Sequence, residues 1–183
     1  LVADTKDDYK TVDWYEMLDF ESEPIMYGLD RKNDGYMPRE RGIIIHEILS
    51  NIKTFDESES VLDKYIDDGI IGEDEAKYLL NKFNEIANLK EIKEAYSKDA
   101  IVKNEMSILT PKGMLRPDRY VELEDKVVVI DYKTGTHREE YCSKQREYMF
   151  ALQDMGIRKN IEGYLLYIGE KIEIIPVFMD RLF

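Results

Sequence analysis

The sequence has 183 residues, 43% hydrophobic and 36% charged, with 39 acidic against 26 basic residues and a formal net charge of −13. That length fits one domain, and the apolar share supplies a packed core, which excludes disorder as the main state. The acidic balance argues against a phosphate-bearing partner unless bound divalent metal reverses the local sign.

Residues 1–38 read as an irregular acidic lead-in, with Pro24, Gly28, Gly35 and Pro38 as breaks and one short helix expected near Asp13–Phe20. From Arg39 the pattern turns helical. Ile43, Ile44, Ile48, Leu49 and Ile52 recur at helical spacing. Asp56 or Ser58 is placed to cap a second helix through Asp67, which Gly69 ends. A third runs from Glu73 to Asn88 on a stripe of Ala76, Leu79, Leu80, Phe83 and Ile86, and a short segment follows over Lys90–Tyr96.

The period then switches to two. Strands are expected over Ala100–Leu109, Met114–Leu123 and Val127–Lys133, separated by turns at Thr110–Gly113 and at Glu124-Asp125. The unbroken Val127–Ile130 run implies burial on both faces. Arg138–Met155 is helical, and Glu162–Ile168 with Lys171–Phe178 form a last hairpin around Gly169-Glu170. This order predicts an α/β (α+β) layer fold: a central mixed sheet containing a three-stranded antiparallel meander, flanking helices, and a helical region ahead of it.

The turns predict a register. A turn centred on Pro111-Lys112 sets Glu105 opposite Asp118, and one centred on Glu124-Asp125 sets Asp118 opposite Asp131. Three carboxylates would lie in one row, with facing Cβ atoms roughly 5 Å apart. Like charges so placed destabilise a sheet, so the row needs a raised pKa, a basic counter-ion or a divalent cation. A one-residue slip would instead throw a carboxylate to the other face. Hard oxygen donors suit Mg²⁺, Mn²⁺ or Ca²⁺. Lys133, two residues past Asp131, shares its face and can serve either as a simple salt-bridge partner or as a group that orients water or steadies phosphate charge.

These residues carry a resemblance. Arg116-Pro117-Asp118-Arg119 followed by Asp131-Tyr132-Lys133-Thr134-Gly135 resembles the PD-(D/E)xK nuclease signature in its RecB form. Gly42 to Leu49, with His46, is similar to the family's G-x-x-x-H-x-x-L helix, and Tyr141 through Gln145 and Tyr148 to its Q-x-x-x-Y helix. The likeness spans about residues 39–178 and is nearest the nuclease domain of AddA-type helicase–nucleases; four motifs in order are specific where one alone is weak. It implies a restriction-endonuclease-like core over residues 39–183. It also implies catalytic roles for Asp118, Asp131 and Lys133, and a Mg²⁺ or Mn²⁺ site on His46, Asp118, Asp131, the Tyr132 carbonyl and Glu105.

The implied product ends are a 5′-phosphate and a 3′-hydroxyl. Gln145, Tyr148, Arg119, Lys144 and Tyr141 would touch DNA or support the site. In one respect the chain departs from the family: its glutamine lies four residues before the tyrosine, and here Lys144 stands there, with Gln145 next to it. The implied partners are DNA ends or single strands, read by backbone rather than sequence, and an attached or associated helicase.

The remaining features read more plainly. His137 is expected to be an exposed loop histidine. The single cysteine, Cys142, shows no nucleophile signature, excludes a disulfide framework, and fits a reducing cytoplasm. There is no Walker motif, so no ATPase machinery is expected. The acidic stretch Leu1–Asp8 does not resemble a signal peptide, no apolar run approaches the roughly 20 residues of a membrane span, and a chain opening at Leu1 suggests an excised or processed domain. Three rivals stay open: a silent nuclease-like scaffold or DNA-binding module of a helicase complex, a metal-binding regulatory domain, and a stand-alone exonuclease or restriction-type enzyme. Arg116, Arg119, Lys133, Arg138, Lys144 and Arg146 gather around the motifs, so weak, salt-sensitive DNA binding is expected of the domain alone.

Overall fold

A computed structural model describes residues 38–111 and 113–179. The helix expected near Asp13–Phe20 lies outside them.

Helix α1, Pro38–Asn51, opens on a proline, whose fixed φ suits the first helical position. It buries Ile48 and Leu49 of the predicted stripe, with Ile52 just beyond, while Ile45 is buried in place of Ile43 and Ile44, which are half-buried. A short 3₁₀ turn leads into α2, Ser58–Asp67. Gly69 sits past its end at φ 69°, the left-handed conformation that closes a helix, and the next amide, Ile70 N–H, returns to the Tyr65 carbonyl. Helix α3, Glu73–Ala87, buries Ala76, Leu79, Phe83 and Ile86, and a 3₁₀ turn follows at Lys93–Tyr96.

The strands are β1 Ile101–Asn104, β2 Ile108–Thr110, β3 Gly113–Leu115, β4 Arg119–Glu122, β5 Lys126–Lys133, β6 Asn160–Ile168 and β7 Ile172–Val177; helix α4, Glu139–Asp154, lies between β5 and β6. Five strands form one mixed sheet in the order β1-β4-β5-β6-β7. The antiparallel meander β1-β4-β5 matches the expectation, and α4 carries the chain across to β6, which runs parallel to β5.

One core packs α1, α2 and α3 against Val121, Val128, Ile130 and Tyr132; a second packs α4 against Tyr120, Val127, Val129 and Leu165. Strand β5 is therefore covered on both sides, as its apolar run implied. Gly163 in β6 permits the close seat of α4: a Cβ there would collide with Met149 Sδ. Among the described residues no helix is long and apolar enough to cross a membrane.

The first hairpin differs from expectation in one respect. Its two long strands are each broken, so β2 and β3 form a separate two-stranded ladder beyond β1 and β4. The break lies at Glu105–Ser107 on one side and Arg116–Asp118 on the other. Pro117 has no amide hydrogen for a ladder, and Glu105 adopts φ 50°, outside the strand region. Equal lengths are lost on both sides, so the register is conserved: Asn104 faces Arg119 below the break and Ile108 faces Leu115 above it.

Candidate functional site

The site forms where β4 begins and β5 ends. The β4–β5 ladder pairs Arg119 with Ile130, so the next step sets Asp118 opposite Asp131. On the other flank the Glu105 amide donates to the Asp118 carbonyl at 2.9 Å, which sets Glu105 opposite Asp118. All three backbone positions thus follow the predicted row.

The side chains do not all follow. Asp118 Oδ2 accepts the Tyr132 amide at 2.6 Å and lies 3.5 Å from His46 Nδ1 of α1. Burial pushes the Asp118 carboxyl up, but His46, Lys133 and the Tyr132 amide together outweigh it and hold it down at about 2. Asp131 is buried, and its Oδ2 lies 2.6 Å from Lys133 Nζ. Burial and the charge of Asp118 push the Asp131 carboxyl up against the pull of Lys133 and Lys144. Burial would lower the Lys133 ammonium, yet Asp131 and Asp118 raise it, so Lys133 is a cation at neutral pH. Glu105 instead turns its carboxylate to the Arg116 guanidinium, whose Nε also donates to the Glu105 carbonyl at 3.1 Å.

The supporting residues sort by sheet face. Side chains alternate along β4, so Arg119 points opposite to Asp118. It is fully buried, donates to the carbonyls of Ile52, Lys53 and Ala95 at 2.7–3.1 Å, and stacks 3.9 Å over the Tyr96 ring. Arg119, expected to touch DNA or support the site, is a buried cross-tie between the segment after α1, the Lys93–Tyr96 turn and the sheet. Gln145 is fully buried on α4 and donates to the Val129 carbonyl at 2.8 Å. Tyr148, also buried, donates to the Arg116 carbonyl at 3.2 Å and so tethers the segment bearing Asp118. That placement leaves its ring no face for stacking on a base.

Lys144 Nζ lies 5.7 Å over the Tyr148 ring, and Lys133 Nζ 4.4 Å over the half-buried Tyr141 ring. The Tyr132 side chain is buried, with its hydroxyl 2.8 Å from that of Tyr96 and its ring edge-on to His46. The backbone group of Tyr132 seen at Asp118 is its amide, while its carbonyl belongs to the peptide leading to Lys133.

Two carboxylates, an imidazole and an ammonium thus meet at one end of the sheet. Asp118 and Asp131 are hard, anionic donors, and the carboxyl that burial and Asp118 push up is one a divalent cation would relieve. Sequence reasoning did not anticipate the Arg116 clamp on Glu105. It also passed over a second donor group, His137, Glu139 and Cys142, whose ligand atoms lie within 4.8 Å of one another. No protein-family model matches the sequence, and no curated protein matches it.

Proposed function

We propose that this chain is a metal-dependent deoxyribonuclease with a restriction-endonuclease-like core of the RecB type, serving as the nuclease module of a DNA repair or recombination helicase–nuclease. The observation that supports this reading most is the facing of Asp118 and Asp131 with Lys133 against Asp131, since opposed carboxylates cost stability unless the site has work for them.

In this reading Asp118, Asp131 and His46 hold Mg²⁺ or Mn²⁺. When bound, the ion supplies Lewis acidity toward the scissile phosphate and lowers the pKa of water. Lys133, being cationic, donates to the attacking water or to a phosphoryl oxygen rather than taking a proton. Water oxygen bonds to phosphorus as the bond to the 3′ oxygen breaks, and that oxygen takes a proton. Tyr148 fixes the Asp118 segment through the Arg116 carbonyl, and Gln145 fixes α4 against β5. Lys144 and Tyr141 border the ammonium–carboxylate pair and are the residues suited to reach the strand.

A second reading, a module that holds DNA or a helicase without cutting, draws on one observation: Asp118 and Asp131 already have internal partners in His46 and Lys133. Incubation with linear and circular DNA in Mg²⁺, Mn²⁺ or EDTA separates the two. Metal-dependent loss of linear DNA alone supports an exonuclease, and nicking of circles an endonuclease. DNA retarded in gels yet intact in every metal supports the silent module.

A further inference from the structure

We propose that His137, Glu139 and Cys142 form a second metal site that takes one Zn²⁺ ion, with the fourth position left to water. The three donors come from the loop after β5 and the first turn of α4, in the pattern His-x-Glu-x-x-Cys. Glu139 and Cys142, three residues apart on a helix, share a face, and His137 folds back over them. Their ligand atoms lie within 4.8 Å of one another. A tetrahedral zinc with Zn–S of about 2.3 Å and Zn–N or Zn–O of about 2.0–2.1 Å needs donors about 3.3–3.6 Å apart, a closure of at most about 1.5 Å that side-chain rotation supplies.

The chemistry selects a borderline-soft ion. A thiolate, an imidazole and a carboxylate together suit Zn²⁺ and disfavour Mg²⁺, whose partners are oxygens. The thiol proton leaves to solvent as the sulfur–zinc bond forms, and the two anionic donors then balance the ion's charge. Both anions sit at the start of α4, where the helix dipole favours them. The imidazole is oriented from outside: His137 Nδ1 is hydrogen-bonded at 2.9 Å to the Tyr167 hydroxyl, which leaves Nε2 for the ion. Tyr167 is buried and stands beside Lys133 in the β5–β6 register. An ion here would pin the loop that leaves Lys133 to the helix that carries Tyr141, Lys144, Gln145 and Tyr148.

Co²⁺, a spectroscopic stand-in for zinc, tests this on the full chain in a non-thiol reductant. One equivalent should produce a thiolate-to-cobalt charge-transfer band that Zn²⁺ then bleaches. The chain has one cysteine, so the band can arise only at Cys142. It should persist in Asp118→Asn, vanish in Cys142→Ser, and require at least tenfold more Co²⁺ in His137→Gln, a change at an exposed residue that spares the fold. Tyr167→Phe should weaken Co²⁺ binding about tenfold, the usual effect of removing a partner that orients a ligand. A chain that cuts no DNA still gives the band, so failure of the nuclease reading and failure of this site are separable. Absence of the band at saturating Co²⁺, one ion shared by two chains, or equal affinity in wild type, His137→Gln and Glu139→Gln would overturn the proposal.

Discussion

Asp118 Oδ2 accepts the Tyr132 backbone amide at 2.6 Å, so a side chain at the head of β4 completes the hydrogen bonding of the last residues of β5. His46, Lys133 and, least, this bond hold the Asp118 carboxylate ionised, and the bond aims it at the peptide that joins Asp131 to Tyr132. Two consequences can be measured without DNA, and three more measurements involve it.

The first concerns acid stability without metal. The Asp118 carboxyl is depressed from 3.8 to about 2 in the folded chain. A depressed carboxyl contributes stability that is present above its unfolded value and lost as pH falls through its folded one. In EDTA, wild type should therefore be more stable than Asp118→Asn at pH 5 by roughly 2 kcal/mol, with the gap closing between about pH 4 and pH 2. Urea melts across that range read the difference. A gap independent of pH contradicts the assignment.

Metal binding should weaken with acid as well. Burial and Asp118 raise the Asp131 carboxyl, so protons compete with the cation for it. Calorimetric Mn²⁺ affinity should rise with pH across and just above the ordinary carboxylate range. Lys133→Ala removes the group that favours the charged form and should shift that rise to higher pH. An unchanged midpoint in Lys133→Ala would show that the ion pair is irrelevant to binding.

Arg119 and Asp118 are neighbours in sequence with opposite fates. Arg119→Ala leaves three carbonyls, two of them buried, without their donor and strips the face of Tyr96, which should cost about 3–5 kcal/mol. Arg119→Lys should rescue little, because one ammonium cannot span carbonyls that a planar fork reaches. Folded Arg119→Lys protein should bind DNA as wild type does; weaker binding at equal folding would restore a DNA contact for this residue.

That contrast shows what could be read from the residues alone. The facing of Asp118 and Asp131 followed from turn position and the two-residue period, and so did the double burial of β5. The same alternation, applied one residue further, already places Arg119 on the far face from Asp118, where the resemblance left it either touching DNA or supporting the site. The left-handed turn at Glu105 and its capture by Arg116 were not legible, since they depend on a break in the ladder that only Pro117 hinted at. Nor was the neutralisation of the basic residues around the motifs. Arg116, Lys133, Arg138 and Arg146 face Glu105, Asp131, Glu140 and Glu139.

Tyr148 separates support from contact. Tyr148→Phe removes the hydrogen bond to the Arg116 carbonyl, worth about 1 kcal/mol, and loosens the segment holding Asp118. If the chain cleaves DNA, kcat should fall severalfold while the Kd for single-stranded DNA stays the same. A loss confined to Kd would place the ring against a base.

The most direct measurement is cleavage of end-labelled linear DNA in Mn²⁺ by wild type, Asp131→Asn and Lys133→Ala, each shown to be folded by circular dichroism. Wild type should cut, EDTA should stop it, and both variants should lose at least a hundredfold in rate, as expected when a group acting on the transition-state charge is removed. DNA left intact by the wild type in every metal, or cut equally by all three proteins, would contradict the assignment of the Asp118–Asp131–Lys133 cluster as a nuclease centre.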